Sequence, residues 1–438
     1  MRLSMLPDTV YSSACLPCTR LPAAGRLLTA FLISFLLAFQ YCRTAFNRDP
    51  GSFFFDPNEG YARAYSLDRQ FQADDYITYA NDSAIRHNGN GASADKTMCV
   101  GVATVQRPQN RYFRSTVGSI LEGLTDAERR SIDLILFIAH TDPTVHAAYG
   151  EDWLPAVADR VLLYDLNQTE MAYVRTLEEE RDFRVKGLYD YVYLLKACYE
   201  SGAPWVTMIE DDTIAIDGWY PRTMAALDRI EEQSHRGNVW DWLYLRLFYT
   251  EEFLGWNREE WPRYLIQSLG WVLAPTAALL LVRHSFPKLR RVLTIDVLAV
   301  LCGICIPSFL VLYFLCGRVS MQPLAPGVQE MSRFGCCSQG FVFPRHVVPR
   351  IIDHFERKKV GFVDMLLEEW ADTDHLLRWA VVPSVLQHVG RKSSKGDDYG
   401  ENSRFHMSVA EKLWNFAFEL NDASQLRDQD GRLRFPQA

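Results

Sequence analysis

Long apolar runs with little or no charge and shorter alternating stretches divide the 438-residue chain into two kinds of segment. Three runs are of the first kind. LLTAFLISFLLAFQYC, residues 27–42, carries no charge. A second run covers residues 264–282 around LGWVLAPTAALLLV, and a third covers 292–316 and contains VLAVLCGICIPSFLVLYFLC. Asp296 falls near the start of the third, where it can sit at an interface. Length and composition predict membrane spans rather than buried core helices. No small-residue cleavage pattern follows the first run, so it reads as a retained anchor with a cytosolic N-terminus and not as a signal peptide. RHSFPKLRR, residues 283–291, joins the other two and is basic, which predicts a cytosolic hairpin turn. Two spans return the chain to the side it left, so both flanking regions are expected in the lumen.

Strands and helices alternate elsewhere. MCVGVATV from Met98 predicts a strand, followed by the polar loop QRPQNRY and a helix over 113–124. IDLILFIAH is a second strand, ending at His140-Thr141-Asp142, and RVLLYDL a third. A helix over 186–200 carries Leu188, Tyr191, Val192 and Leu195 on its apolar side. Gly202-Ala203-Pro204 ends it, and WVTMIE is the fourth strand. This order predicts an α/β fold with a largely parallel sheet. Ligands of such sheets bind beyond the carboxyl ends of the strands. The expected organisation is a cytosolic tail over 1–26, an anchor over 27–42, and a Tyr-, Asp- and Asn-rich luminal stem over 43–97. The α/β domain occupies 98–263 and 317–395, the membrane hairpin 264–316, and a luminal tail 396–438.

Composition refines this picture. With 48% hydrophobic and 23% charged residues the chain is a folded protein, and its net charge of −8 argues against nucleic acid as a partner. Asn81-Asp82-Ser83 and Asn167-Gln168-Thr169 are glycosylation acceptors. Of ten cysteines, Cys99, Cys198, Cys336 and Cys337 fall in the expected luminal parts, where disulfides are permitted. Neither a P-loop nor a GxGxxG stretch is present.

WVTMIE runs directly into Glu210, Asp211 and Asp212. Acids often end strands as solvated turns. Here they follow an apolar strand at the ligand-binding edge, which suits a divalent cation bridging a diphosphate. An EF-hand loop fits poorly, because its alternation and glycine are missing.

The acid run resembles the DxD-type motif of GT-A glycosyltransferases, in an EDD form. GFVDMLLEEW from Gly361 and VPSVLQHVGRKSS from Val382 resemble N-acetylglucosaminyltransferase IV and the post-GPI-attachment-to-proteins factor four family. RVKGLYDYVYLLKAC fits their common pattern. The inserted hairpin, with SRFGCCSQGFVFPR just after it, matches the second family. The resemblance implies a GT-A fold interrupted by a transmembrane hairpin, plus an N-terminal transmembrane helix. It further implies a Golgi enzyme that moves N-acetylgalactosamine from UDP-GalNAc to the mannose of a GPI glycan. That transfer would be inverting and assisted by Mn²⁺ or Mg²⁺. GPI-anchored proteins or a GPI glycolipid would be the acceptor, and the lipid bilayer a partner. An N-glycan N-acetylglucosaminyltransferase and a non-catalytic membrane adaptor with a transferase-like fold are the alternatives.

Roles follow from these motifs. Asp211 and Asp212 are expected to bind metal, with Glu210 beside them or on the ribose or sugar. His388 in QHVG is a further metal ligand or phosphate contact. Inversion needs a base for the acceptor hydroxyl, and Asp364 in the VDMLL stretch is the first choice. Glu368 lies four residues on, with Glu369, Asp372 and Asp374 as fallbacks; a plain N-terminal helix acid is the structural alternative for Asp364. Asp142 is placed at the uracil, Arg107 at the base or a phosphate, Thr104 and Val105 in the uracil slot, and Lys186 near the phosphates. Cys336 and Cys337 are either free thiols or a vicinal disulfide, which the resemblance supports. Such a turn would set Ser338 and Gln339 against the donor sugar.

Overall fold

The computed structural model describes residues 22–82, 96–107, 112–237, 241–331, 337–390 and 409–434. The chain divides into two units, a helical one over residues up to 45 plus 257–315 and an α/β one over 46–256 plus 316 onward.

Among the described residues, the helical unit holds three helices that are long and apolar enough to cross a membrane. They are Ala23–Ala45, Trp261–Ser285 and the run from Ile295 to Leu315. The third contains one π turn, Leu301–Cys305, just ahead of Pro307. Proline has no N–H to give the ladder, and widening the preceding turn absorbs that loss. Phe31, Phe35 and Phe309 pack edge-on or tilted, with ring centres 5.5–5.8 Å apart. The basic residues of the connector also close the end of the second helix. Arg290 donates to the carbonyls of Arg283 at 3.1 Å and His284 at 3.0 Å, and Arg283 donates to that of Leu293. The first two bonds satisfy carbonyls that the helix leaves open, and the third ties the helix end to the connector.

Among the described residues the α/β unit has ten strands. They are β1 (Met98–Thr104), β2 (Ile132–Ile138), β3 (Arg160–Leu162), β4 (Trp205–Glu210), β5 (Thr213–Ala215), β6 (Trp242–Arg246), β7 (Gly327–Glu330), β8 (Gly340–Pro344), β9 (Leu377–Val382) and β10 (Leu386–His388). An eight-stranded sheet has the order β3-β2-β1-β4-β8-β6-β9-β7. β8 runs antiparallel to both β4 and β6, and β7 runs against β9; the other neighbours are parallel. This is the mixed α/β architecture with a mostly parallel sheet that the alternation predicts. β5 and β10 form a separate two-stranded ribbon.

Layers cover both faces of the large sheet, so its central strands are apolar without a break. Val100, Val102, Leu134 and Leu136 enter one core with Trp153 and Trp219. Cys99, Ile135 and Phe137 enter the other with Leu194, Leu195 and Phe355. A disulfide joins Cys99 on β1 to Cys198 on the helix Phe183–Glu200.

Two regions fold otherwise than expected. Within the expected stem, Tyr65–Asp82 is a helix packed against the helix Tyr112–Leu121. Its buried stripe is Tyr65, Arg69, Ala73 and Ile77, spaced four apart. The arginine disguises the pattern. Fully buried Arg69 donates to the carbonyls of Ala215 at 3.1 Å and Ser119 at 3.2 Å, and pairs with Glu122 and Asp217. Within the expected tail, Asn415, Phe416 and Phe418 are buried. Gln387 and Asn415 exchange hydrogen bonds of 2.9 and 3.0 Å. Glu251 accepts from the amides of Phe416 at 2.9 Å and Ala417 at 3.0 Å. Glu419 accepts from those of Ala64 and Ser66, tying both regions together.

Burial pushes the Glu251 carboxyl up from 4.5 to about 7, against its two amide donors. Folding therefore favours the protonated form. This contribution is full below 4.5 and is lost as pH rises through 7, an expected change of about 3 kcal/mol. Glu251→Gln is expected to flatten that slope. Urea unfolding of both proteins across this range measures it, and equal slopes would show that Glu251 titrates normally.

Of the two glycosylation acceptors, Asn167 is exposed and caps the helix Gln168–Glu180. The triplet at Asn81 ends outside the described residues.

Candidate functional site

β4 and β5 are separated only by Asp211 and Asp212, so a tight turn carries both carboxylates. Thr116 pins this turn: its hydroxyl lies 2.8 Å from the carbonyls of Asp211 and Thr213. The ribbon register sets His388 opposite Thr213, and the Val389 amide donates to the Asp212 carbonyl at 2.8 Å. Residues from 116, 211–213 and 388–390 thus meet at the carboxyl end of β4.

Arg107 binds both acids. Its guanidinium nitrogens lie 2.5 Å from Asp211 Oδ1 and 2.8 Å from Asp212 Oδ2. Asp211 Oδ2 accepts from Thr104 at 2.7 Å, and Thr104 Oγ1 is 3.1 Å from His146 Nε2. His146 Nδ1 accepts from the Ala148 amide at 3.2 Å, which leaves the ring proton on Nε2. The order of donation is therefore His146 to Thr104 to Asp211. Burial pushes His146 down to about 4, so it is neutral at physiological pH.

Asp212 Oδ2 is also 3.4 Å from His388 Nε2, while His388 Nδ1 lies 3.1 Å from the Leu413 carbonyl. Burial opposes charge on Asp212, but Arg107 and His388 outweigh it and hold the carboxyl well below the usual range. Burial leaves its neighbour Asp211 raised. His388 is raised in turn, since Asp212 outweighs the burial of its imidazole. Gly390 is required by close approach. A Cβ there would stand 2.2 Å from Asp212 Oδ2 and 2.9 Å from His388 Nε2.

A cavity of about 300 Å³ opens beside Asp211. Thr104, Val105, Arg107, Tyr112, His146 and Trp153 line part of it. On the other side Glu210 Oε1 accepts from Ser338 Oγ at 2.5 Å, and Oε2 accepts from Gln339 Nε2 at 3.2 Å. Asp364 Oδ2 accepts from the Cys337 amide at 2.9 Å. Cys337 is disulfide-bonded; Cys336, its expected partner, lies outside the described residues.

Three expected site residues are placed apart from this group. Glu368 is locked by Tyr244, by Arg246 at 2.7 Å and by Arg378 at 2.6 Å, so both oxygens serve an ion-pair network. Buried Lys186 donates to Asp190 and the Ala139 carbonyl, each at 2.8 Å, and pairs with no member of the acid cluster. β2 ends at Ile138, so Asp142 stands on an exposed turn and accepts from Thr144. The fallback acids are also engaged. Glu369 pairs with Lys358, Asp372 with Arg378, and Asp374 accepts from Trp370. His146 and Thr116 carry no spacing signal that marks them in the sequence, and Gly390 stands in the QHVG stretch without a role assigned to it.

Among the described residues, no group of three or more His, Cys, Asp or Glu side chains is arranged to hold a metal ion. The open donor set still fits a cation that completes its shell with phosphate and water. Asp212 Oδ1 is buried with no hydrogen-bond partner among the described residues. The Leu413 carbonyl holds the His388 ring so that Nε2 faces the same carboxylate.

A family model described as GPI-N-acetylgalactosamine transferase PGAP4 matches residues 98–387, well over half of the chain. The chain belongs to this family. The PGAP4 match begins with β1 and takes in Arg107, the acid turn, Cys337–Gln339 and Asp364. It stops one residue short of His388. The chain is also similar to an alpha-1,6-mannosyl-glycoprotein 4-beta-N-acetylglucosaminyltransferase of Gallus gallus, at 27% identity over 157 residues. That alignment covers 33% of this chain and 32% of the relative, so this PGAP4-family chain spans about a third of that relative's length.

Proposed function

We propose that this protein is a Golgi membrane glycosyltransferase. It transfers N-acetylgalactosamine from UDP-GalNAc to the mannose of a GPI glycan, with inversion. The PGAP4 family match across the acid turn carries this reading. The turn's position at the carboxyl end of a mostly parallel sheet, beside a cavity, supports it.

The cavity lined by Thr104, Val105 and His146 receives the uridine. Arg107 stands beside the diphosphate as a positive charge, its two terminal nitrogens held by Asp211 and Asp212. Asp211, Asp212 and His388 would hold Mn²⁺ or Mg²⁺, which supplies positive charge to the departing diphosphate. Glu210, Ser338 and Gln339 face the donor sugar. Asp364 is the base: two backbone amides, of Cys337 and Met365, fix its carboxylate. The acceptor oxygen attacks the anomeric carbon and its proton passes to Asp364. The bond to the diphosphate oxygen breaks with its electron pair, and UDP leaves. Three apolar helices keep the enzyme in the bilayer that carries a lipid-linked acceptor.

Purified protein in detergent, offered several UDP-sugars with GPI-glycan and N-glycan acceptors, tests this. Mn²⁺-dependent transfer from UDP-GalNAc to the GPI glycan is the expected result. Transfer to N-glycans alone would assign the chemistry in the avian relative's name. No transfer and no UDP binding by folded protein would leave a membrane adaptor.

Gly390→Ala tests the close approach in the site. The added methyl pushes the Asp212 carboxylate aside, and displacement of about 1 Å costs about 10²-fold in rate. Initial rates and a thermal melt check it, with the melt expected to change little. A rate near wild type would show that Asp212 is not required where it stands.

A further inference from the structure

Arg246 is the last residue of β6 and is fully buried. A guanidinium is buried there only where it is paired, and both terminal nitrogens of Arg246 are engaged while its Nε has no partner among the described residues. It donates to the Cys337 carbonyl at 2.9 Å, to Tyr244 Oη at 3.0 Å and to Glu368 at 2.7 Å. The rings of Tyr244 and Phe341 lie 5.2 and 5.0 Å from its guanidinium carbon. Arg378 holds the other oxygen of Glu368 at 2.6 Å, so Glu368 orients Arg246 and is itself held from behind.

Cys337 is therefore gripped at both backbone groups, its carbonyl by Arg246 and its amide by Asp364. Its φ of 87° lies in the left-handed region. A non-glycine residue stays there only where its surroundings enforce it. The next two side chains, Ser338 and Gln339, both bind Glu210. Gln339 Oε1 is buried and has no hydrogen-bond partner among the described residues. A buried acceptor in this state is open to a donor on a ligand.

We propose that Arg246, oriented by Glu368, is a positioning residue that sets the Cys337–Gln339 turn and thereby the recognition of the sugar half of the donor. It does not touch the substrate. The uridine and diphosphate contacts lie on the far side of Glu210, at Thr104, Arg107 and Asp211. Loss of Arg246 therefore weakens the grip on the sugar and spares the grip on the nucleotide. The inference rests on the glycosyltransferase reading for its substrate, while the claim about the turn stands independently.

The test uses full-length protein in detergent and Arg246→Lys, which keeps the charge but not the fork. Calorimetry measures UDP and UDP-GalNAc separately, without acceptor. The expected result is a UDP Kd within twofold of wild type and a UDP-GalNAc Kd about tenfold weaker. Wild-type binding is restored when the residue is returned to Arg. Parallel weakening of both ligands, or no change in either, overturns the proposal. Hydrogen exchange at Ser338–Gly340 is read in the same samples and is expected to speed up about tenfold. Unchanged exchange there overturns the positioning role even if wild-type protein binds no UDP, an outcome that sinks the function reading alone. Where Arg246→Lys fails to fold, Glu368→Gln carries the same measurements.

Discussion

Asp212→Asn is expected to lower sugar transfer by about 10³-fold, close to 4 kcal/mol of lost transition-state stabilisation. Two groups bind one oxygen of the carboxylate, Arg107 at 2.8 Å and His388 at 3.4 Å, and its other oxygen is buried without a partner among the described residues. An amide offers one acceptor and adds two donors. Either its NH₂ faces Arg107 and His388, donor against donor, or it fills the position of the unpartnered oxygen and points at a bound cation. Both arrangements remove the negative charge that a cation bridging the diphosphate needs. The fold should persist, because Arg107 keeps Asp211 at 2.5 Å. Initial rates with UDP-GalNAc and a GPI-glycan acceptor measure the effect, with a thermal melt as control. A variant that keeps a tenth of the rate would move the diphosphate site away from this turn.

Arg107→Gln is expected to cost about 3–5 kcal/mol of stability, the usual result of removing one partner from a buried ion pair. Two adjacent carboxylates, each 5% exposed, would then face each other without their guanidinium. The same substitution opens the turn to a cation. Mn²⁺ is expected to raise the melting temperature of the variant more than that of wild type, where it must compete with Arg107. A cation at a hundred times its Kd stabilises by about 2.7 kcal/mol, enough to recover much of the loss. Melting curves with and without Mn²⁺ give the comparison, with no need for turnover. An equal rise in both proteins would mean that the cation binds elsewhere.

Much of the architecture was legible wherever a segment buries one kind of surface. β1, β2 and β4 are continuous apolar runs because both faces of the sheet are covered, and the three apolar helices carry almost no charge. The acid turn was legible because carboxylates rarely follow such a strand directly. The helix Tyr65–Asp82 was not, since Arg69 sits on its buried stripe and only tertiary partners make that position tolerable. Glu368 and Asp364 share a helical face in the sequence, yet one meets two guanidiniums and the other two amides. Spacing along a helix carries no information about which strands approach it. Asp142 was placed by the general rule for strand ends, and Lys186 by its charge at the start of a helix. Lys186 is consumed by Asp190, and β2 stops four residues before Asp142. His388 was marked by its motif, whereas Gly390 beside it acquires a reason only when the Asp212 carboxylate is seen against it.

β8 lies between β4 and β6 in space but follows the whole hairpin in the chain. On the ribosome, β4 and β6 emerge with open edges and wait for a partner that both apolar helices precede. At 5–20 residues per second that interval is on the order of ten seconds. Insertion of the hairpin thus acts as a timer on the completion of the sheet. A nascent chain stalled in the hairpin would hold two unpaired apolar strand edges, the form most exposed to aggregation and to chaperone capture. The two apolar helices that part β6 from β8 along the chain therefore also decide when the sheet can close.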